Sequence, residues 1–285
     1  MSRSALFIIN PISGKGRKAK IASLLEERGL KYVYTGAAGD AERIARESDE
    51  DVVVAVGGDG TVNEVGRGLL ASSRTLGIIP CGSGDGLARF LGISHNPQKA
   101  IDTVLNGLEI PLDAGLVNNH PFFSVCGAGL DADVSKKFAE AGRRGVLTYV
   151  EKALELWHKF TPEHYSINID GREWEQDAVL VTVANSNQWG NEAKVAPHAD
   201  CSDGLLDITV LDMFRSIEIP DLAVRLMTGH CDSSKHVHCY KGRHIVLKRS
   251  RPAPAHFDGD WFDAAEELDI RVLPHALKVM VPRNL

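Results

Sequence analysis

Apolar residues in the first part of the chain fall in short unbroken runs separated by stretches with helical spacing. ALFIIN (5–10), KYVYT (31–35), DVVVAV (51–56) and TLGIIP (75–80) read as strands. Between them Ile21, Leu24 and Leu25 mark one helix face, and DAERIARES (40–48) and TVNEVGRGLLA (61–71) keep the helical period. NPQKAIDTVLNG (96–107) follows, with proline near its start and glycine just past its end. Near-continuous apolar strands alternating with helices predict a parallel sheet covered on both faces. Ligands of such sheets sit beyond the carboxyl ends of the strands.

The rhythm then shifts toward period two. DAGLVNNHPFFSVC carries a turn between two strand-like runs, and Asp170-Gly171 sits between alternating segments as in a hairpin. LLDITVL, GRHIVLKR and ELDIRVL continue in strand style, interrupted by helical patterns at Thr148–Phe160 and Asp221–Met227. The expected fold class is therefore α/β with two domains. A parallel-sheet domain over 1–118 is followed by an antiparallel, sandwich-like or barrel-like domain over 119–276. No repeat, low-complexity segment or linker marks the boundary near 113–125.

Charge narrows the partners. The 285 residues carry a formal net charge of −6, which disfavours a protein that grips nucleic acid by charge alone. No apolar run approaches the ~20 residues that span a bilayer. The start, MSRSALFIINPISGKG, lacks the apolar region and cleavage site of a secretion signal. Cys81, Cys126, Cys201, Cys231 and Cys239 are scattered and odd in number, as expected of reduced thiols in a cytoplasmic protein.

Three strand ends carry small and basic residues. After the third comes GGDGT, opening a helix. Glycines there let backbone N–H groups approach a phosphate, and the helix N-terminus adds partial positive charge. Thr61 would cap the helix or bind a phosphate oxygen. Asp59 makes sense beside a phosphate if it holds Mg²⁺ or takes a proton from a hydroxyl; otherwise it is the N-cap of a plain strand–helix turn. The first strand ends in NPISGKGR (10–17), which lacks GxxxxGK[ST] and so is no Walker loop, although Ser13, Gly14 and Lys15 could reach a phosphate. The fourth ends in PCGSGDGLARFLGI (80–93). Three such turns on one sheet edge describe a nucleotide cleft.

GGDGTVNEV, the NPxSG loop and the GSGDGLAR turn together resemble the diacylglycerol kinase/sphingosine kinase catalytic family, in particular its small soluble bacterial lipid kinases. GAGLDADV (127–134) is similar to the family's GxGxDA segment. GNEAKVAPHADCSDGLLDITVL (190–211) is similar to its P-x-A-x-x-x-DG-LLD run, and HFDGDW (256–261) sits where the family has a late DGE. GGDGT alone is shared with NAD kinases and phosphofructokinases, whereas the five motifs in order span nearly the whole chain. The resemblance implies an α/β nucleotide domain, rejoined at the end by 277–285, a β-rich lipid-binding domain, and ATP with Mg²⁺ in the cleft between. It also implies a membrane lipid as substrate, met at the bilayer surface by peripheral association, and no nucleic-acid partner; a homodimer is compatible with it.

Residue roles follow from the same resemblance. Asn10, Pro11, Ile12, Ser13 and Gly14 correspond to the first ATP-contacting loop, and Thr35 to another nucleotide contact. Gly57, Gly58, Asp59, Gly60, Thr61, Val62 and Asn63 correspond to the phosphate loop, and Ser83 to the Ser/Thr of a G[ST]xN turn. Glu64 orients that loop or caps the helix that follows it. Arg143 and Arg144 resemble phosphate-holding residues, against the alternative of a solvated turn. Asp200, Asp203 and the Leu205 carbonyl resemble a Mg²⁺ site that shapes the β domain; the alternative is an Asp-Gly turn. Transfer needs a carboxylate near the acceptor hydroxyl. Asp258 comes first, then Asp260, which replaces the usual glutamate, then Asp59. Asp131 would greet a substrate amine or hydroxyl, or serve as a structural turn.

The chain departs from the pattern at Asp85 and Gly86, where the family has Asn-Asp. That leaves the lipid open between diacylglycerol and a sphingoid base or ceramide, and motivates one rival, a nucleotide-binding relative without catalysis; a kinase of a soluble substrate such as NAD is the other. His230, Cys231, His236, His238, Cys239 and His244 suggest either Zn²⁺ or a polar strand face. GVLTYVEKALELWHKF (145–160) has an apolar helical stripe suited to the core or to a membrane surface.

Overall fold

The computed structural model describes residues 3–12, 17–140, 155–157 and 160–283. Ser13, Gly14, Lys15, Arg143, Arg144 and most of the 145–160 stripe lie outside them. The chain divides into two units, residues 1–112 with 275–285, and residues 113–274. Among the described residues no helix is long and apolar enough to cross a membrane.

The first unit alternates strands and helices: β1 (Ala5–Ile9), α1 (Arg17–Glu27), β2 (Lys31–Tyr34), α2 (Asp40–Glu47), β3 (Val52–Gly57), α3 (Asp59–Leu69), β4 (Thr75–Pro80), α4 (Gly86–Phe90) and α5 (Pro97–Asn106). The strands lie parallel in the order β2-β1-β3-β4. Every residue of β3 and β4 is buried. Such strands must be apolar throughout, which is why they read as unbroken runs. Asn96 caps α5, its side chain accepting from the N–H groups of Gln98 and Lys99, with Pro97 in the first turn.

Strand β5 (Leu108–Val117) carries the chain from one unit to the other, so no linker marks the division. The second unit contains β6 (His120–Phe122), β7 (Val125–Gly129), α6 (Leu130–Glu140), β8 (Glu163–Ile169), β9 (Arg172–Ala178), β10 (Leu180–Ala184), β11 (Leu206–Leu211), α7 (Ile219–Thr228), β12 (Val237–Gly242), β13 (His244–Arg249), β14 (Ala253–Phe257), β15 (Asp260–Ala264) and most of β16 (Glu267–Val281). One antiparallel sheet runs β12-β11-β10-β7-β14-β15. In the other layer β9, β8, β13 and the start of β16 pair antiparallel. Cys126, Ala128, Val181, Val183 and Ile208 from the first sheet share a core with Tyr165, Ile167, Ile245, Leu247 and Ile270 from the second. This is a β-sandwich. Asp170 and Gly171, both at positive φ (50° and 89°), make the tight turn of the β8–β9 hairpin.

The last residues of β16 return to the first unit. Lys278 and Val279 pair parallel with Thr75 and Leu76 of β4.

Candidate active site

The nucleotide side of the site is built from backbone. Helix α3 starts at Asp59, two residues earlier than its pattern suggests, with extended Gly58 as its N-cap. Thr61 therefore lies inside the helix and is no cap. Its Oγ1 instead accepts a hydrogen bond of 3.1 Å from Asn10 Nδ2, tying the end of β1 to the glycine loop. Asn10 Oδ1 in turn accepts from the N–H of Ile12 at 2.9 Å, which shapes the turn through exposed Pro11 and Ile12. Lys18 Nζ closes that turn onto the Pro11 carbonyl. Thr35 is buried, with its N–H on the Ile9 carbonyl. Val62 and Asn63 are buried on the inner face of α3.

The three glycines of GGDG have different neighbours. A Cβ on Gly57 would meet the Thr61 side chain at 2.4 Å, and one on Gly82 would meet Gly58 Cα at 2.7 Å. The loops after β3 and β4 thus touch backbone to backbone. Gly60 has nothing within 4 Å and faces open space. The N–H groups of Thr61 and Val62 turn back onto the Gly58 carbonyl, and the positive end of the α3 dipole lies beside the open approach at Gly60.

Asp59 locks the two loops together. Its Oδ2 accepts from Asp85 N at 2.9 Å and its Oδ1 from Gly86 N at 2.8 Å. Asp85 is buried at positive φ, accepts from Gly82 N at 2.9 Å, and faces His95 Nε2 at 3.1 Å. Burial lifts its carboxyl to about 6, against the opposing pull of the Gly82 N–H, Arg89 and Arg17. Ser83 is exposed between them. Glu64 caps a helix, but the neighbouring one: its two oxygens accept from the N–H groups of Gly39 and Ala41 at the start of α2.

The second unit carries the other candidate carboxylates. Asp258 occupies the β14–β15 turn at φ 46°. Its Oδ1 accepts from Ser124 N at 2.8 Å and Val125 N at 3.1 Å, and its Oδ2 from Phe123 N at 2.9 Å. The Asp258 carboxylate thus serves as acceptor for three backbone N–H groups. Asp260 is exposed at the start of β15. Asp131, in the first turn of α6, is only 4% exposed and turns inward. Its oxygens lie on Ala132 N at 2.8 Å, Thr182 Oγ1 at 2.9 Å and His256 Nε2 at 3.0 Å.

Asp200 and Asp203 sit in a tight loop ahead of β11. Asp200 Oδ1 accepts from Ser202 N and Oγ, and Asp203 Oδ1 from Leu205 N. Beneath it, buried Asp113 accepts from Gly204 N at 2.7 Å. The oxygen donors of Asp200, Asp203 and the Leu205 carbonyl fit a hard cation by type. Lys241 Nζ already stands 3.0 Å from Asp203 and 3.2 Å from Asp207. Among the described residues no three His, Cys, Asp or Glu side chains gather to hold a metal ion. Three of the four histidines in 230–244 pair with separate acids instead: His236 with Glu218 at 3.3 Å, His238 with Asp212 at 2.7 Å, His244 with Asp269 at 3.3 Å. Trp157, from the apolar stripe, is buried against Phe214, with ring centroids 4.3 Å apart.

These elements have known counterparts. Residues 4–117 match the family described as the diacylglycerol kinase catalytic domain, and residues 124–281 the YegS C-terminal NAD kinase beta sandwich-like domain. The chain belongs to the diacylglycerol kinase/YegS lipid kinase family. It is 32% identical over 275 residues to a diacylglycerol kinase of Bacillus subtilis, covering 91% of this chain and 90% of that one. A diacylglycerol kinase of Mycobacterium tuberculosis is 29% identical over 307 residues, with 97% and 94% covered. A probable lipid kinase YegS of Salmonella dublin is 25% identical over 292 residues, with 98% and 96% covered. A Bacillus anthracis crystal structure assigned to the diacylglycerol kinases superposes with a TM-score of 0.83 at 25% identity, covering 99% and 96%. A member of this lipid kinase family is a phosphotransferase with an alcohol group as acceptor.

His95, Thr182 and Asp113 had no signal in the sequence, and His256 had none beyond opening the HFDGDW stretch. Each gains its meaning from a partner distant in the chain or from burial on a strand.

Proposed function

We propose that the protein is an ATP- and Mg²⁺-dependent lipid kinase that phosphorylates diacylglycerol to phosphatidic acid. The observation that carries this reading is Asp59, whose two oxygens clasp the N–H groups of Asp85 and Gly86 and so hold two glycine-rich turns side by side at adjacent ends of a parallel sheet. The N-terminus of α3, with Gly60 leaving the approach open, suits the phosphates of ATP. The kinship to chains named diacylglycerol kinase supports the lipid.

In this reading the lipid hydroxyl oxygen attacks the γ-phosphorus, the bond to the β–γ bridging oxygen breaks, and ADP leaves. The hydroxyl proton passes to a carboxylate, Asp258 first, with Asp260 and Asp59 as the other candidates. Mg²⁺ bound with ATP would supply neutralisation of charge on the phosphates. A second Mg²⁺, if held by Asp200, Asp203 and the Leu205 carbonyl, displaces Lys241 and stiffens the loop. Asp131, committed to Thr182 and His256, works inside the sandwich. The Ser83-Gly84-Asp85-Gly86 turn favours a sphingoid base or ceramide as the second reading of the substrate.

The test is transfer of labelled γ-phosphate from Mg·ATP to diacylglycerol, sphingosine, ceramide, phosphatidylglycerol and NAD, with wild type and Asp258→Asn. Labelled diacylglycerol, lost in the variant, is expected. Labelled sphingosine or ceramide would move the reading to the second substrate class. Label in NAD alone, or none with ATP still bound, would refute it.

A further inference from the structure

His256, Gly127 and Thr182 stand at one register across three neighbouring strands, β14, β7 and β10. The middle position has no side chain. A Cβ on Gly127 would lie 2.7 Å from Asp131 Oδ2 and 3.0 Å from His256 Nε2. Through that gap the Asp131 carboxylate reaches down from α6 to the imidazole on one side and the Thr182 hydroxyl on the other. All three are buried, at 4%, 3% and 0% exposure. His256 Nδ1 is buried too and has no partner among the described residues. With Nε2 facing a carboxylate, the ring proton belongs there.

Such a set is costly. Apolar residues of the same volume often stabilise a core better than a buried ionic group does. What hydrogen bonds add is direction: they fix the strand's place to within the narrow range their geometry tolerates. The strand so fixed ends in the functional turn. Phe257 pairs with Cys126, and the next residue, Asp258, fastens to the N–H groups of 123–125 at the start of β7.

We infer that His256 is a positioning residue for phosphoryl transfer: anchored by Asp131 and Thr182, it sets where β14 rests on β7 and thereby where the Asp258 carboxylate stands. The inference rests on the reading of Asp258 as the proton acceptor. Loss of the anchor lets the turn shift, and a displacement near 1 Å in a catalytic group costs up to about a hundredfold in rate.

The experiment measures kcat, KM for ATP and thermal midpoint for full-length His256→Leu, His256→Gln, Thr182→Val and Asp258→Asn. Glutamine keeps an N–H donor where Nε2 stands. His256→Leu is expected to lose about tenfold or more in kcat with KM for ATP unchanged, and His256→Gln to recover most of it. A purely structural role would lower the thermal midpoint in both and leave kcat of the folded enzyme intact, and that result overturns the inference. If His256→Leu does not fold, Thr182→Val takes its place, with a smaller loss of kcat expected and a wild-type kcat overturning it. An active Asp258→Asn removes both readings. An inactive Asp258→Asn beside a fully active His256→Leu removes this one alone.

Discussion

Replacing Asp85 with asparagine should make the protein more stable, by an amount set by pH. The carboxyl is buried and lifted from its usual 3.8 to about 6, chiefly by desolvation. Because the folded form holds the proton more tightly than the unfolded one, its contribution is fully favourable below about 4. It is lost as pH rises toward and through about 6, and above that an ionised carboxylate sits in a poorly solvated place. The difference between the two values corresponds to roughly 3 kcal/mol at pH 8 and about half of that at pH 5. Asparagine keeps both bonds: its oxygen accepts from Gly82 N and its amide faces the His95 imidazole. Thermal unfolding of wild type and Asp85→Asn from pH 5 to 8 should show the variant's advantage growing with pH, to roughly 5–10 °C at the top. An advantage that stays flat, or a variant less stable at pH 8, would refute the reasoning.

The glycines of the two loops after β3 and β4 should separate by what they face. Gly82→Ala forces a Cβ to within 2.7 Å of Gly58 Cα, and is expected to destabilise by roughly 1–3 kcal/mol and weaken ATP binding together. Gly60→Ala meets nothing within 4 Å, so its thermal midpoint should hold while KM for ATP rises; unchanged ATP affinity would mean that no phosphate approaches there. Lys241→Met should enlarge the gain in thermal midpoint on adding millimolar Mg²⁺, because the ammonium that competes for Asp203 is gone; an equal gain in both proteins would place the ion elsewhere. A thiol reagent should label Cys239 alone in the native protein, and slowly, since it is the one exposed cysteine and burial of its sulfur pushes even that thiol's pKa up; rapid labelling of several thiols would contradict the packing.

What the sequence made legible was local. Buried strands such as Val52–Gly57 are apolar at every position because both faces are covered, and the Asp170-Gly171 turn takes the left-handed conformations that this pair favours. Helix α3 was harder. Its first turn contains Asp59 and Gly60, poor helix formers, and its start is set by Asp59 reaching across to α4. Thr61 looked like a cap by position, but its hydroxyl answers to Asn10, 51 residues earlier. The links between Asp131 and His256, 125 residues apart, and between Asp131 and Thr182, 51 apart, belong to strand register, which no local pattern encodes. Density alone left the histidines of 230–244 open between a metal and a polar face; His236, His238 and His244 each find an acid on a different segment.

Strand β16 has a consequence for how the protein is made. Lys278 and Val279 complete the sheet beside β4, the Val281 carbonyl fills the space that a side chain at Gly107 would need, and Arg283 Nε donates to the Asn106 carbonyl at the end of α5. The N-terminal unit therefore cannot close while its own residues emerge from the ribosome. It waits, with the β4 edge unpaired, through synthesis of the whole sandwich, and an unpaired apolar edge invites pairing with another chain. Substitutions at Lys278 or Val279 would therefore be felt at the β4 edge, far earlier in the polypeptide.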